Sequence, residues 1–569
     1  MVVAVFWGLG SILSSIDDPV NMDEAEFAAA AIGYMKTGQP AYQVGGIAQY
    51  ELDLAPWAFG HGPSPDYQLG LWHSSFLVPL IAKIYEVFGI SSWATRLPGA
   101  VSWLCGFFLL FFMLRGQGQT FKLVFLTLYF STPLLIQQSL MVDFDNTIGT
   151  LALALSLFVY FRYSDKSNFW KLVLMHTLLV GLLCWCKEYM AIYWIPAVFV
   201  YEALRKNWKA SAAAVLGALL GVGLFWITWS LWCNSMGIAP DYFIRFSFVR
   251  RSKGSEGMGD LISLVRSFGW KDALVLFKRS LSQSLTYVDT SFVLLVLFFI
   301  PDFKKIFNER KQDLLVLLMA LSILLIAKIS RPSVISFKYE FAMIPLFIWL
   351  IARSLDRRMR AGEFTGLLLV GMLLAIPRSI LIGDPLLYVS AARETVASFN
   401  FTFLYSVLAL TVVGVVIQLV YRLGKDFRRW SLYSLVAGLL AFNMSLGALQ
   451  RRSYTTVSNY FQVYGESGAA LAAAQLRGWV ARYPHALVYT RRDLGVLAFH
   501  LSGQEGRSWK GYEVLSTPAG ILELSKAEVA FILTDHYGRG KTEAIFSSWG
   551  FQKIGDFGDF LLFGRHLKK

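Results

Sequence analysis

Residues 210–233 read ASAAAVLGALLGVGLFWITWSLWC, twenty-four residues without a charge. Coiled into an α-helix at 1.5 Å per residue, such a stretch is about 36 Å long, enough to cross the ~30 Å hydrocarbon layer of a bilayer. Further apolar runs lie near 1–15, 96–114, 122–138, 147–162, 171–186 and 189–204, and then near 287–301, 313–328, 340–354, 364–382, 401–421 and 431–449. With 210–233 these make thirteen candidate spans in a chain of 569 residues. Several fall short of the ~20 residues of an average span and call for adjusted ends. The composition agrees: 56% of residues are hydrophobic, 16% are charged, and the mean hydropathy is +0.51. This is the profile of a polytopic membrane protein, an all-α bundle.

The net charge of +14 would point to nucleic acid in a soluble chain. Here the cations gather in short loops: Arg115 to Lys122, Arg162 to Lys171, Arg205 to Lys209, Lys304 to Lys311, Arg353 to Arg360 and Arg422 to Arg429. That clustering is what membrane orientation requires, so nucleic-acid binding is not expected. With these loops cytoplasmic, so is the N-terminus, and the first run reads as an anchor because no basic flank or small-residue cleavage site accompanies it. Residues 17–95, the turns at 137–146 and 187–188, segments 234–286, 329–339 and 383–400, and everything after about 450 then face outward. Segment 68–88 is apolar but carries Trp72, His73, Ser74, Ser75, Lys83 and Glu86, and reads as an amphipathic helix in the outer interface. Cys105, Cys184, Cys186 and Cys233 all lie in or beside apolar segments, which speaks against a disulfide framework or a zinc site.

The first outer loop is long enough to carry function and opens with Asn21-Met22-Asp23-Glu24-Ala25-Glu26-Phe27. A capped helix start accounts for the pair by itself, because acidic side chains favour the positive end of a helix dipole. Carboxylates at the mouth of a membrane bundle are also suited to general-base work. The same face carries Asp143-Phe144-Asp145-Asn146 and a set of cations against the inside bias: Lys187, Arg245, Arg250, Arg251, Lys253, Arg331 and Lys338. Lys187 sits in a tight turn between two apolar runs, where an unpaired charge is costly. Positive charge on that side is suited to the phosphate of a lipid carrier.

These residues carry a family resemblance. Asn21 to Phe27, followed by Met35-Lys36-Thr37-Gly38-Gln39-Pro40, resembles the opening loop of the integral-membrane glycosyltransferases that take sugars from polyprenyl phosphates. That group, of the GT-C fold, includes the protein O-mannosyltransferases and the aminoarabinose transferase that modifies lipid A. Phe88-Gly89-Ile90-Ser91 with Arg96-Leu97-Pro98 resembles the end of that loop, Asp145-Asn146-Thr147-Ile148 its next acidic outer motif, and Lys187 the lysine of a Lys-Gly-Pro-like turn. The resemblance covers roughly the first 200 residues. Two departures stand out. Lys187-Glu188-Tyr189 lacks the glycine and proline, and Gly60-His61-Gly62-Pro63-Ser64-Pro65-Asp66 takes the place of a Lys-Pro-Pro or His-Pro-Pro-like element, with His61 as stand-in.

The resemblance implies an inverting transfer from a polyprenyl-phosphate donor, such as undecaprenyl phosphate in a bacterial cell envelope, to an acceptor hydroxyl on a lipid, glycan or protein. It implies a catalytic group of Asp23 as base with Glu24 and Asp145 in support, and a donor-phosphate group of Lys187, Arg331, Lys338, His61, Arg250 and Arg251. A divalent metal is compatible with this reading but not required by it, because no clustered His/Asp ligand spacing is present. The location it implies is the cytoplasmic (inner) membrane. From about 450 the composition becomes that of a small soluble α/β domain: a helix over 466–483, strands over 486–490 and 529–534, and a hairpin over 551–565 turning through Gly555-Asp556-Phe557-Gly558. The expected division is therefore 1–449 as the transmembrane domain and 450–569 as an outer domain suited to acceptor recognition or support. The competing class is a transporter or lipid-linked-sugar flippase, which charges at mid-span and paired broken helices would favour. A third is a membrane scaffold carrying the outer domain as a binding module.

Overall fold

The computed structural model describes residues 2–16, 22–43, 67–71, 73–115, 117–143, 145–164, 168–244, 270–271, 274–275, 311–330, 341–361, 469–490, 509–511, 515–535, 539–557 and 560–566. The runs near 287–301, 364–382, 401–421 and 431–449 lie outside them. Contacts divide the chain into two compact units, one of residues 1–15, 99–228 and 248–453, the other of 16–98, 229–247 and 454–569.

The first unit is helical. Its elements are α1 (Val2–Ser15), most of α4 (Ser92–Met113), α5 (Gln119–Ser131), α6 (Pro133–Leu140), α7 (Thr150–Tyr163), α8 (Phe169–Cys186), α9 (Glu188–Leu204), most of α10 (Trp208–Ser235), α11 (Lys311–Ser330) and α12 (Met343–Ala361). Among the described residues, α4, α8 and α10 are long and apolar enough to cross a membrane, and stretches 2–15, 147–163, 312–327 and 343–354 are shorter apolar helices. The run at 122–138 is two helices rather than one span, because Pro133 has no amide hydrogen to continue the ladder of α5. Along α10, Leu219, Leu220, Val222, Ile227 and Leu231 stay exposed, the condition of side chains whose solvent is lipid.

The interior of this unit is aromatic and closely packed. Phe107 stacks on Phe125 and meets Tyr129 and Phe130 within 4.7–6.3 Å between ring centres, and the Tyr129 hydroxyl donates to the Trp103 carbonyl at 2.8 Å. At the α8–α10 crossing, a Cβ on Gly217 would come within 2.5 Å of the His176 Cβ, and one on Gly221 within 2.7 Å of the Thr177 carbonyl. Only glycine permits that approach, as is common where helices associate in lipid without a hydrophobic driving force. At the basic-loop end, Asp313 on α11 accepts from Trp349 Nε1 at 2.9 Å and pairs with Arg353 on α12 at 3.0 Å. Arg353 also donates to Gln117 at 2.7 Å and covers the Phe121 ring at 4.1 Å, joining three elements through one guanidinium.

In the second unit, α2 (Met22–Thr37) packs along α3 (Leu77–Phe88), and two short strands, β1 (Ala41–Gln43) and β2 (Tyr67–Leu69), pair antiparallel between them in sequence. The amphipathic helix expected over 68–88 is confined to 77–88, because 67–69 extends as β2; just before the helix the Ser75 hydroxyl accepts from the Leu77 amide at 3.1 Å. α3 ends at Gly89, whose φ of +81° turns the chain into Ser91, and the Ser91 hydroxyl then accepts from the Ala94 amide at 3.3 Å in the first turn of α4.

Toward the C-terminus, α13 (Ala469–Arg482), α14 (Pro518–Lys526) and α15 (Arg539–Ser548) accompany a five-stranded sheet. The strands β3 (Leu487–Thr490), β4 (Trp509–Gly511), β5 (Val529–Asp535), β6 (Gln552–Phe557) and β7 (Phe560–His566) lie in the order β4-β3-β5-β7-β6. β3 is parallel to β4 and β5, while β7 runs antiparallel to β5 and β6. Alternate residues of β5 serve opposite faces: Ala530 and Ile532 join Leu524, Phe546 and Phe563, whereas Phe531 meets Trp479 of α13 and Tyr483 just past its end. The hairpin turns after Phe557, beyond the Gly555 start of the expected turn. Gly555 lies inside β6 at a break in register, a usual place for glycine in a strand.

Candidate active site

Asp23 and Glu24 both fall in the first turn of α2, the end at which the helix dipole favours negative charge. Glu24 is fully buried and is gripped by Arg96, equally buried, in the first turns of α4. The contact is bidentate: Nε donates to Oε1 at 2.9 Å and Nη2 to Oε2 at 2.8 Å. Nη1 of the same guanidinium donates to the Ile16 carbonyl at 3.4 Å, just past the end of α1. Beside it, the hydroxyls of Tyr85 on α3 and Thr95 on α4 are hydrogen-bonded to each other. Burial holds the Tyr85 phenol well above its ordinary range, and the nearby Glu24 carboxylate adds to the rise. A polar knot of Glu24, Arg96, Thr95 and Tyr85 therefore ties α2, α3 and α4 at the acidic end of α2.

Leaving one partner of such a pair uncompensated costs about 3–5 kcal/mol, which is why the two charges occur together in an apolar surround. Glu24 thus has a definite contact, with Arg96. Arg96 itself was visible in the sequence only as part of Arg96-Leu97-Pro98. The signal that marks it out is a guanidinium within an apolar helical run, which needs a partner at that depth.

In the helical unit, the second acidic segment folds unusually. Asp145–Gly149 is a single π-helical turn leading into α7, a feature frequent at functional sites. Asp143 precedes it, buried, with its amide donating to the Thr147 hydroxyl at 3.2 Å and its carbonyl accepting from the Thr147 amide at 2.9 Å. The π turn packs against both α6 and α8. Short connections make α7, α8 and α9 antiparallel neighbours, so the far end of α8 returns to the end where α7 begins.

Lys187 stands there as the single residue between α8 and α9. Its backbone is extended, and it closes both helices: its amide donates to the Leu183 carbonyl and its carbonyl accepts from the Met190 amide, each at 2.9 Å. The side chain is 1% exposed, with Nζ 5.7 Å from the Tyr189 ring centre. The π turn and Lys187 are thereby brought to one end of the helical unit.

The side chains of Asp23 and Asp145, and residues His61, Arg250, Arg251, Arg331 and Lys338, lie outside the described set. Among the described residues no group of three or more His, Cys, Asp or Glu side chains is arranged to hold a metal.

Residues 73–232 match the family described as dolichyl-phosphate-mannose-protein mannosyltransferase. The match starts at His73, which is half-buried and followed by the buried Ser74 and Ser75 at the head of α3. In fold the chain is similar to ArnT from Cupriavidus metallidurans, in the apo state (15% identity) and bound to undecaprenyl phosphate (17% identity). Both comparisons have a TM-score of 0.60 and cover 99% of this chain and 97% of the other. No curated protein sequence matches.

Proposed function

We propose that the protein moves a sugar from a polyprenyl-phosphate carrier to an acceptor hydroxyl at the outer face of the membrane, with inversion at the anomeric carbon. The observation that carries this reading is the acidic first turn of α2, held in place by a fully buried Glu24–Arg96 pair. A carboxylate presented by a fixed helix end is suited to a base, since misplacement of about 1 Å is costly in catalysis. In the proposed step, Asp23 takes the proton of the acceptor hydroxyl as that oxygen bonds to the anomeric carbon. The bond from that carbon to the phosphate oxygen breaks, and its electron pair leaves with the lipid phosphate.

Phosphate is a good leaving group, so cations that meet its developing charge contribute as much as the base. Lys187, buried at the junction of α8 and α9, is assigned that role, with Arg331, Lys338, Arg250 and Arg251 as candidates for the rest of the phosphate grip. Asp145, at the π turn, is assigned to the acceptor side. The binding of undecaprenyl phosphate by the structurally similar ArnT supports a lipid-phosphate donor here.

The test is transfer itself. Purified protein is incubated with a panel of radiolabelled polyprenyl-phosphate sugars and membrane extract, alongside Asp23→Asn. Transfer by the wild type and its loss in Asp23→Asn, by about 10²-fold or more, is expected. Equal transfer by the variant would remove Asp23 from the mechanism. Passage of lipid across vesicles without donor consumption would favour the flippase.

A further inference from the structure

A buried ion pair is a poor device for stability, because desolvating two charges consumes most of what their attraction returns, and apolar residues of equal volume pack as well. Glu24–Arg96 is nevertheless fully buried, bidentate and placed at the acidic turn. A guanidinium is planar with a fixed fork of donors, so two parallel bonds set the direction of the carboxylate as well as its distance. The third contact of Arg96, to the Ile16 carbonyl, lies on the other side of the connection that leads into α2. One side chain thus holds the chain both before and after the entry to the helix. The adjoining Tyr85–Thr95 hydrogen bond fixes α3 to the same turn of α4 that carries Arg96.

We infer that Arg96 is a positioning residue: through Glu24 and the Ile16 carbonyl it sets the azimuth and height of the first turn of α2, and so the aim of Asp23. This rests on the proposed role of Asp23 as base, but the anchoring itself does not depend on it. Arg96 touches neither donor nor acceptor in this assignment. Its loss changes the rate of the chemical step while leaving donor binding intact.

The decisive variant is the apolar pair Glu24→Leu with Arg96→Met, which removes both charges together and so leaves neither uncompensated. Arg96→Lys is the conservative comparison, since an ammonium keeps the charge without the fork. For the full chain in detergent, the double variant is expected to melt within about 5 °C of wild type. Its kcat should fall about tenfold or more with the donor KM within about threefold, and Arg96→Lys should lie between the two. Amide hydrogen exchange over 22–30 should quicken in the double variant while 77–88 keeps its protection. A kcat within tenfold of wild type, a loss carried by KM, or a kcat loss matched by unfolding would each overturn the positioning role. So would unchanged exchange over 22–30. If the wild type transfers no sugar from any donor, the proposed function fails, and exchange alone decides the anchoring.

Discussion

At the residue scale, Lys187 shows how little of a side chain's importance lies in its identity. A lysine beside a glutamate in a polar turn is ordinary, but between two helices with 1% of its surface exposed it is a cation stored at the end of a bundle. Replacing Lys187 by Met keeps the length and removes the charge. The donor KM should rise about tenfold or more, equivalent to about 1.4 kcal/mol, as measured by initial rates against donor concentration. A quite different buried polar group is Tyr489 on β3. Its hydroxyl has no hydrogen-bond partner among the described residues, and burial pushes the phenol up to about 12, with Glu523 adding and Arg565 offsetting.

Because the folded value of Tyr489 exceeds the unfolded one, the stability tied to its neutral form is complete below pH ~10 and is lost between about pH 10 and 12, by about 2–3 kcal/mol at most. Tyr489→Phe should remove that alkaline component and, at neutral pH, leave stability unchanged or higher by about 1 kcal/mol. Denaturation midpoints of the full chain at several pH values check both. Of the residues proposed for the site, Asp23, Glu24, Asp145 and Lys187 were singled out by type and spacing. Arg96 was recognisable only as a motif, because its role depends on Glu24, more than seventy residues away in sequence.

At the scale of elements, the α8–α10 crossing is decided by two glycines one turn apart. Gly217→Leu should cost about 3 kcal/mol or more, since the neighbouring Val173 carbonyl, 2.7 Å from a built Cβ, is backbone and cannot move aside. Gly223→Ala, on the same helix with nothing within 4 Å of its Cβ, should be neutral or slightly stabilising. The contrast in thermal midpoints of the two variants measures the closeness of the crossing. Between α9 and α10, Lys206 adopts φ +57°, with the Lys206 and Asn207 amides closing on the Ala203 and Glu202 carbonyls at 2.9 Å. Glycine normally takes that position, so Lys206→Gly should raise stability by about 0.5–1 kcal/mol in the same assay.

Elements were legible where one property ran unbroken. The apolar run at 210–233 became a helix from 208 to 235, and the strand expected at 529–534 became β5. They were misjudged where a single residue interrupts a pattern that hydropathy averages over. Pro133 ended α5, and Gly555 sat at a bulge.

At the scale of the whole molecule, the proposed orientation puts the α3–α4 corner outside and the Arg205 to Lys209 loop in the cytoplasm. A cysteine-free background with either Glu86→Cys or Lys206→Cys tests it directly. A membrane-impermeant maleimide added to intact cells should label position 86 and reach 206 only after permeabilisation. Labelling in the reverse order would invert the topology and take the acidic turn of α2 to the other face.

The sequence by itself determined that this chain lives in a membrane, which segments are apolar enough to do so, and which carboxylates and cations are out of keeping with their surroundings. Those are properties of residue type and order, set by transfer free energies that act locally along the chain. Tertiary structure decided the partners. It brought Arg96 to Glu24, Arg353 to Asp313 and α8 onto Gly217, and it buried Lys187 at a helix junction. Each depends on helices meeting across long sequence separations at distances of a few ångströms, where directional hydrogen bonds and close packing, rather than hydropathy, select one arrangement.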